Sequence, residues 1–506
     1  MSSQQELLNP LSTDHLHTDL RGRSVRGGVL NVASQGAQFL IQSIATVVLA
    51  RLLTPADFGL VAMVSTVTGL GQAFADLGLS EATIQRKEIS HDQVSALFWI
   101  NVAIGLGLML VTVTLAPLLA KFYREPRLVN ITLLVSLTFL IGGLRVQPDA
   151  ILKRQMRFSS LAIRDVASYA LAVPVAITMA WRGASYWALV ALPLTLNFTA
   201  MALAWLMVNW RPGLPRRGTQ VGSMIAFGGN VAASYFIGNV SRSADNILIG
   251  WYLGAAPLGL YSRAYNLLML PISQLLGPAR DVAVPAFSRT QDDPERFARY
   301  YLRTVNLVLW ISAPVFGFLF VAAKPVIVLI LGKQWREAAP VFQILAICAL
   351  AQLLFGSTTW LFVSRGRSQQ LLKLWLIIAP VIVGSYAIGL PFGIKGVALS
   401  GSLVSLVILP WTLKFAYRGT NLTLEGAGRA LLYPVALCLV GVFLAELALF
   451  LISPERTFSQ LLVVALSFAA VFSLSSLIPP VREEMLSLRK LWSELRLSSR
   501  SVQPTA

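Results

Sequence analysis

Long stretches of this chain carry no charge at all, and that constrains its fold more than any other feature. Residues 94–120, 185–209 and 458–479 each run without one Asp, Glu, Lys or Arg. A helix needs about 20 apolar residues to cross the hydrocarbon of a bilayer. Fourteen such runs can be marked off, the first at 29–50 and the last at 458–479. Charged residues make up only 13% of the 506, where a soluble domain carries about 25%, so a soluble globular enzyme is excluded. The runs are continuous rather than alternating with period two, which excludes an outer-membrane barrel. The expected fold class is therefore an all-α polytopic membrane protein of about 14 transmembrane helices.

The net charge of +18 does not point to nucleic acid. Lys and Arg fall in short connections between apolar runs, where an excess of positive charge marks the cytoplasmic side. With the N-terminus inside, alternate connections hold groups such as Lys153, Arg154, Arg157 and Arg164, or Arg289, Arg296, Arg299 and Arg303, against sparse outer residues such as Lys121 and Arg182. The bias is about three to one and places both termini in the cytoplasm. The first apolar run begins near Val29, too late and too long for a cleaved signal peptide. Cys348 and Cys438 lie inside apolar runs and read as buried small hydrophobes rather than a disulfide.

The chain repeats itself at an interval near 200 residues. Leu53-Thr-Pro-Ala-Asp-Phe-Gly-Leu60 has its counterpart in Leu253-Gly-Ala-Ala-Pro-Leu-Gly-Leu260, and Lys121-Phe-Tyr-Arg-Glu125 in Lys333-Gln-Trp-Arg-Glu337. The repeat unit holds six helices, an even number, so both copies point the same way; parallel repeats of this kind are related by an axis along the membrane normal. The expected organisation is a cytoplasmic tail (1–28), an N-lobe of spans 1–6 (29–210), a C-lobe of spans 7–12 (211–420), spans 13–14 outside the repeat (421–480) and a cytoplasmic amphipathic tail (481–506). In that tail Val481, Met485, Leu488, Trp492 and Leu495 recur at helical spacing opposite Arg482, Arg489 and Arg496, the pattern of an interfacial helix. Asp293-Pro294-Glu295 reads as a helix start.

Polar groups are costly in hydrocarbon, so their placement is informative. In span 1, Asn31, Gln35, Gln38 and Gln42 are spaced 4, 3 and 4 apart and share one helix face. Ser65, Thr68, Gln72 and Asp76 do the same in span 2, and Tyr235, Asn239, Arg242 and Asn246 in span 7, with Asp245 at the edge. Amides and hydroxyls can serve simply to join helices, at about 0.6 kcal/mol each. A mid-span Arg242 costs at least about 2.5 kcal/mol and needs water, a ligand or a partner such as Asp245. The preferred reading is a hydrated cavity whose amides bond sugar hydroxyls and whose guanidinium attracts phosphate, with Arg263 of span 8 facing it; a structural ion pair is the alternative. Arg145 and Lys324 lie near span ends and can snorkel, and Glu446 stands alone in span 13. There is no G-x-x-x-x-G-K-S/T loop, and the histidines, His15, His17 and His91, suggest no metal site. No cofactor and no catalytic residue is expected.

The run Ala50-Arg-Leu-Leu-Thr-Pro-Ala-Asp-Phe-Gly-Leu-Val-Ala-Met63, with Ala75-Asp-Leu-Gly-Leu79, Ile84-Gln-Arg-Lys87, Ile151-Leu-Lys-Arg-Gln-Met-Arg-Phe158, Asp245-Asn-Ile-Leu-Ile-Gly250 and Pro285-Ala-Phe-Ser288, resembles the polysaccharide transport family of the MOP exporter superfamily, the Wzx-type flippases. The similarity spans roughly residues 25 to 420 and leans toward the colanic-acid and succinoglycan exporters. It implies a bacterial inner-membrane protein, not an enzyme, that moves undecaprenyl-pyrophosphate-linked oligosaccharide repeat units by alternating access for exopolysaccharide assembly. Implied partners are that lipid-linked substrate, membrane lipid, and the polymerase and export machinery, with no nucleic acid. Family members are driven by ion gradients, which turns attention to Asp76 and Asp245 for ion coupling. An ion-coupled multidrug or metabolite antiporter of the same superfamily is the alternative; it would favour acids over Arg242 in its pocket.

Arg242→Ala is expected to abolish polymer export while leaving the protein folded and inserted. Arg242→Lys separates charge from geometry, since Lys lacks the planar fork. Normal polymer output from the Ala variant would remove Arg242 from the mechanism.

Overall fold

The computed structural model describes residues 20–72, 79–86, 89–214, 243–479 and 481–484, and among them the secondary structure is helical, with no strand. The helices are α1 (Leu20–Leu52), α2 (Pro55–Gln72), α3 (Leu79–Gln85), α4 (His91–Tyr123), α5 (Leu128–Arg154), α6 (Phe158–Trp181) and α7 (Trp187–Met207). They continue through α8 (243–253), α9 (Ala255–Arg289), α10 (Pro294–Val321), α11 (Ala323–Ile330), α12 (Ala338–Ser364), α13 (Ser368–Gly389), α14 (Gly393–Ala416), α15 (Leu424–Ile452) and α16 (Thr457–Ser475). Ten stretches of the described residues are long and apolar enough to cross a membrane, one of them, Gln369–Ala416, combining α13 and α14. Expected spans 2 and 8, on α2 and α9, are not among them; α2 carries the polar stripe of span 2, and the long α9 is interrupted by Arg263 and Arg280. Leu110, Leu118, Leu439, Phe443 and Phe450 are exposed, as lipid-facing side chains must be in a multi-pass membrane protein.

Helix starts follow local chemistry. Ser90 and Gln93 form a reciprocal capping box at α4 (3.2 and 3.0 Å). Asp293 accepts from Arg296 N (3.0 Å) with Pro294 in the first turn, as the sequence predicts for the start of α10.

The chain divides into two compact units, Met1–Gly259 and Leu260–Ala506. In the first, α4 packs on α5, α6 on α7, and α1 on α6. Lipid supplies no hydrophobic drive between helices, so close approach rests on small residues. A Cβ on Gly105 would meet Phe139 O at 2.6 Å, and one on Gly143 would meet Asn101 O at 2.5 Å. A tighter crossing involves the repeated octapeptide: a Cβ on Gly59 would meet Ala255 O at 1.7 Å, and one on Gly259 would meet Pro55 O at 1.8 Å. Gly59 and Gly259 hold the same place in the two copies, as do Pro55 and Ala255. The contact is therefore reciprocal under the repeat. The second repeated motif places a buried aromatic residue at matching positions, Tyr123 in one copy and Trp335 in the other.

In the second unit α10 packs on α12 and α15, α12 on α14, and α15 on α16. The helices outside the repeat are part of this core. Phe468 of α16 lies where a Cβ on Gly317 or Gly441 would meet it at 2.6 and 2.7 Å, and Cys438 Sγ donates to Ala313 O (3.2 Å). Cys348 and Cys438 are both buried free thiols, as expected. Val481, expected on the apolar face of an interfacial helix, is instead buried against Trp310, and Asn306 Nδ2 donates to Glu484 Oε1 (2.5 Å). The ring of Trp310 offers Val481 a packed apolar site, which removes it from the bilayer surface. Met485, Leu488, Trp492 and Leu495 lie outside the described residues.

Gly59→Ala should lower stability by more than about 3 kcal/mol, because a carbonyl oxygen cannot yield as a side chain can. Gly69, on the same helix with nothing within 4 Å of an added Cβ, is the control: Gly69→Ala should be neutral or stabilising by about 0.5–1 kcal/mol. Thermal unfolding of the two purified variants in detergent checks the contrast.

Candidate functional site

The polar stripe of α1 lies at the surface of the first unit. Gln35 and Gln42 are exposed and Gln38 is half-buried, while Ser34, Ala45 and Leu49 are buried beside them. Asn31 sits one turn before Gln35 on the same helix. Gln35 and Gln42 are thus not buried by packing within the unit, and a Gln side chain carries two donor hydrogens and an acceptor oxygen.

The span 2 face divides. Thr68 is buried and donates to Val64 O (3.1 Å), and Thr66 to Ala62 O (2.7 Å), so these hydroxyls are satisfied by their own helix. Ser65 and Gln72 stay exposed. The single four-residue face read from the sequence thereby loses Thr68, and Asp76 lies outside the described residues. Tyr235, Asn239 and Arg242 of span 7 also lie outside them, so the described part of that stripe is Asp245 and Asn246. Asp245 is buried and its Oδ1 accepts from Asn246 N (2.7 Å); Asn246 is half-buried. Arg263 is half-buried in the second unit. It lies on the face of α9 opposite Tyr261 and Tyr265, whose rings stack at 6.4 Å.

A charged group that the sequence reading missed joins α5 to α6. Asp149 forms an ion pair with Arg145 one turn away on α5 (Nε to Oδ2 3.3 Å) and accepts from Arg164 Nη1 of α6. Arg164 also donates through Nε (2.9 Å) and Nη2 (2.5 Å) to Asp165. Arg145, read as a snorkelling end residue, is therefore paired. The signal was present as an Arg-x-x-x-Asp spacing, residues 145 and 149, inside an apolar run. Two guanidiniums and two carboxylates balance, and the side chain of Arg164, only 9% exposed, is compensated by Asp149 and Asp165 together. Nearby, Arg154 is buried and donates to the carbonyls of Thr83 (3.0 Å) and Arg86 (2.5 Å), closing the end of α3. Thr83 Oγ1 donates to Gln147 Oε1 (2.9 Å), and Arg157 donates to Met207 O (2.8 Å). Several Arg residues that the sequence assigns to loop charge thus tie connections to helices.

Surface amides on one helix and a guanidinium pair on neighbouring helices can bind hydroxyls and anions; neither provides a nucleophile or a general base.

Residues 48–340, more than half of the chain, match the family model described as polysaccharide biosynthesis protein. The chain is 25% identical over 392 residues to the lipopolysaccharide biosynthesis protein WzxC of Escherichia coli (strain K12), covering 74% of this chain and 79% of that protein. It is 25% identical over 383 residues to the succinoglycan biosynthesis transport protein ExoT of Rhizobium meliloti (strain 1021), covering 75% of each. The fold superposes on the lipid II flippase MurJ in an inward closed conformation with a TM-score of 0.72 at 12% identity, over 88% of this chain and 98% of that one. This chain belongs to the polysaccharide biosynthesis protein family, and its fold is that of a MurJ-like polytopic membrane protein.

Proposed function

We propose that the protein is a flippase that carries undecaprenyl-pyrophosphate-linked oligosaccharide repeat units across the bacterial inner membrane for exopolysaccharide assembly, with both termini in the cytoplasm. An oligosaccharide cannot enter hydrocarbon unaided, because each hydroxyl would lose its hydrogen bonds to water. A transporter removes that barrier by offering replacement partners along a protein wall while the polyprenyl chain stays in lipid.

The observation that carries this reading is the α1 stripe: Gln35 and Gln42 are exposed on a helix apolar enough to span the membrane. Amides left at the surface of such a helix fit a path for hydroxyl-rich cargo. Arg242 and Arg263 are proposed to receive the pyrophosphate, Gln72, Tyr235, Asn239 and Asn246 to extend the polar wall, and Asp76 and Asp245 to couple transfer to an ion gradient. The polymerase and export machinery would take up the product, and the protein itself makes or breaks no covalent bond.

Reconstitution tests this. Vesicles containing the protein and a lipid-linked oligosaccharide should show leaflet transfer above that of protein-free vesicles, and no transfer under any ion gradient would rule the flippase out. Two variants locate the path. Gln42→Leu should leave thermal unfolding within about 0.5 kcal/mol of the parent, as expected of a surface site, and yet slow transfer about tenfold. Thr68→Val, which removes a hydroxyl bonded within its own helix, should leave transfer unchanged.

A further inference from the structure

We propose that Arg145 and Arg164 form an anion-capture site for a phosphate-bearing ligand, and that Asp149 takes the place of the phosphate oxygens while the site is empty. The site is separate from the residues assigned above to the carrier path; its connection to the cargo rests on the flippase reading, and its anion chemistry does not.

Two features set the cluster apart from a simple staple between helices. One guanidinium facing one carboxylate would be enough to pin α5 to α6. Here two guanidiniums, from different helices, reach the two oxygens of the same carboxylate: Arg145 Nε lies 3.3 Å from Oδ2, and Arg164 Nη1 donates to Oδ1. Two guanidiniums, each reaching one oxygen of a shared pair, resemble the way arginines surround a phosphate group. Arg164 is also held from behind, since Asp165 accepts from both its Nε (2.9 Å) and its Nη2 (2.5 Å). Its guanidinium therefore stays oriented and charge-compensated when Asp149 moves away. The cluster is closed on one side and reachable on the other. The side chain of Arg164 is 9% exposed, whereas that of Arg145 is 30% and that of Asp165 is 35% exposed.

The location fits an entry point. Asp149 and Arg164 lie about two turns from the connection between α5 and α6. Lys153 and Arg157 beside that connection are exposed, an excess of positive charge that draws anions toward it. Because α1 packs on α6, the amide stripe and the guanidinium pair belong to neighbouring helices of the same unit. An incoming phosphate would exchange with the Asp149 carboxylate, one anion for another, so the guanidiniums are never left uncompensated.

The test uses the purified full chain in detergent with inorganic pyrophosphate as the probe, and thermal unfolding to confirm that each variant is folded. Arg145→Gln leaves the Arg164 pairs intact and should weaken pyrophosphate binding about tenfold, the loss of one charge-assisted hydrogen bond. Asp149→Asn removes the competing anion while keeping the side-chain shape, and should tighten binding by a similar factor. No measurable pyrophosphate binding by the parent protein, or parental affinity in both variants with only a lowered melting temperature, would overturn the proposal and leave a structural staple. Competition by a polyprenyl diphosphate at concentrations well below those of inorganic pyrophosphate would identify the ligand as a lipid headgroup; equal competition would identify a soluble phosphate compound. Leaflet transfer in vesicles is read separately. Failure of transfer with pyrophosphate binding intact would count against the flippase and not against this site.

Discussion

Hydrocarbon forms no hydrogen bonds, so every polar atom carried into the bilayer must find a partner in the protein or remain beside water. Three arrangements among the described residues bear on that requirement. Thr66, Thr68, Ser136 and Thr178 turn their hydroxyls back onto carbonyls of their own helices. Arg145, Asp149, Arg164 and Asp165 neutralise one another between α5 and α6. Gln35 and Gln42 are left at the surface of the first unit. The first solution is local, the second joins two helices, and the third places the Gln42 amide at the surface of a membrane helix.

Much of the architecture was legible in the amino-acid order, because hydrophobic runs and helix caps are local properties. The capping pattern at Asp293-Pro294 and the buried free thiols are found where the sequence places them. Polar stripes were less secure. Helical spacing puts Ser65, Thr68 and Gln72 on one face, yet Thr68 is buried and bonded within its helix while its neighbours are exposed. Spacing identifies a face but not what the face meets. The Asp149 cluster was missed for a related reason: Arg164 is fifteen residues from its partner and on another helix, a distance that no 3.6-residue pattern registers. Val481 shows the same limit, since an apolar position in an amphipathic pattern fits a protein pocket as well as a bilayer surface.

The two helices beyond the repeat illustrate how packing in lipid is achieved. With no hydrophobic gain from burying one apolar helix against another, contact area must come from shape. Phe468 of α16 supplies the projection, and Gly317 and Gly441, on α10 and α15, supply the space. A larger residue at either glycine would collide with the ring. These helices are therefore wedged into the second unit by steric fit rather than appended to it, although nothing in the sequence repeat required them.

The reciprocal crossing of Gly59 and Gly259 carries the argument about the repeat furthest. If two copies of one helical motif face each other about a two-fold axis, each contact made by a residue of one copy recurs with the roles exchanged, as at an isologous dimer interface. Gly59 approaches Ala255, the counterpart of Pro55, and Gly259 approaches Pro55 itself. The two approaches differ by only 0.1 Å (1.7 against 1.8 Å). Chance similarity between two octapeptides would not produce that exchange. A glycine needed in one copy is needed in the other for the same reason, because each is the cavity into which the other copy's backbone fits. The recurrence of Leu-x-x-x-x-x-Gly-Leu at an interval of 200 residues is thus the linear trace of a single close contact, made twice.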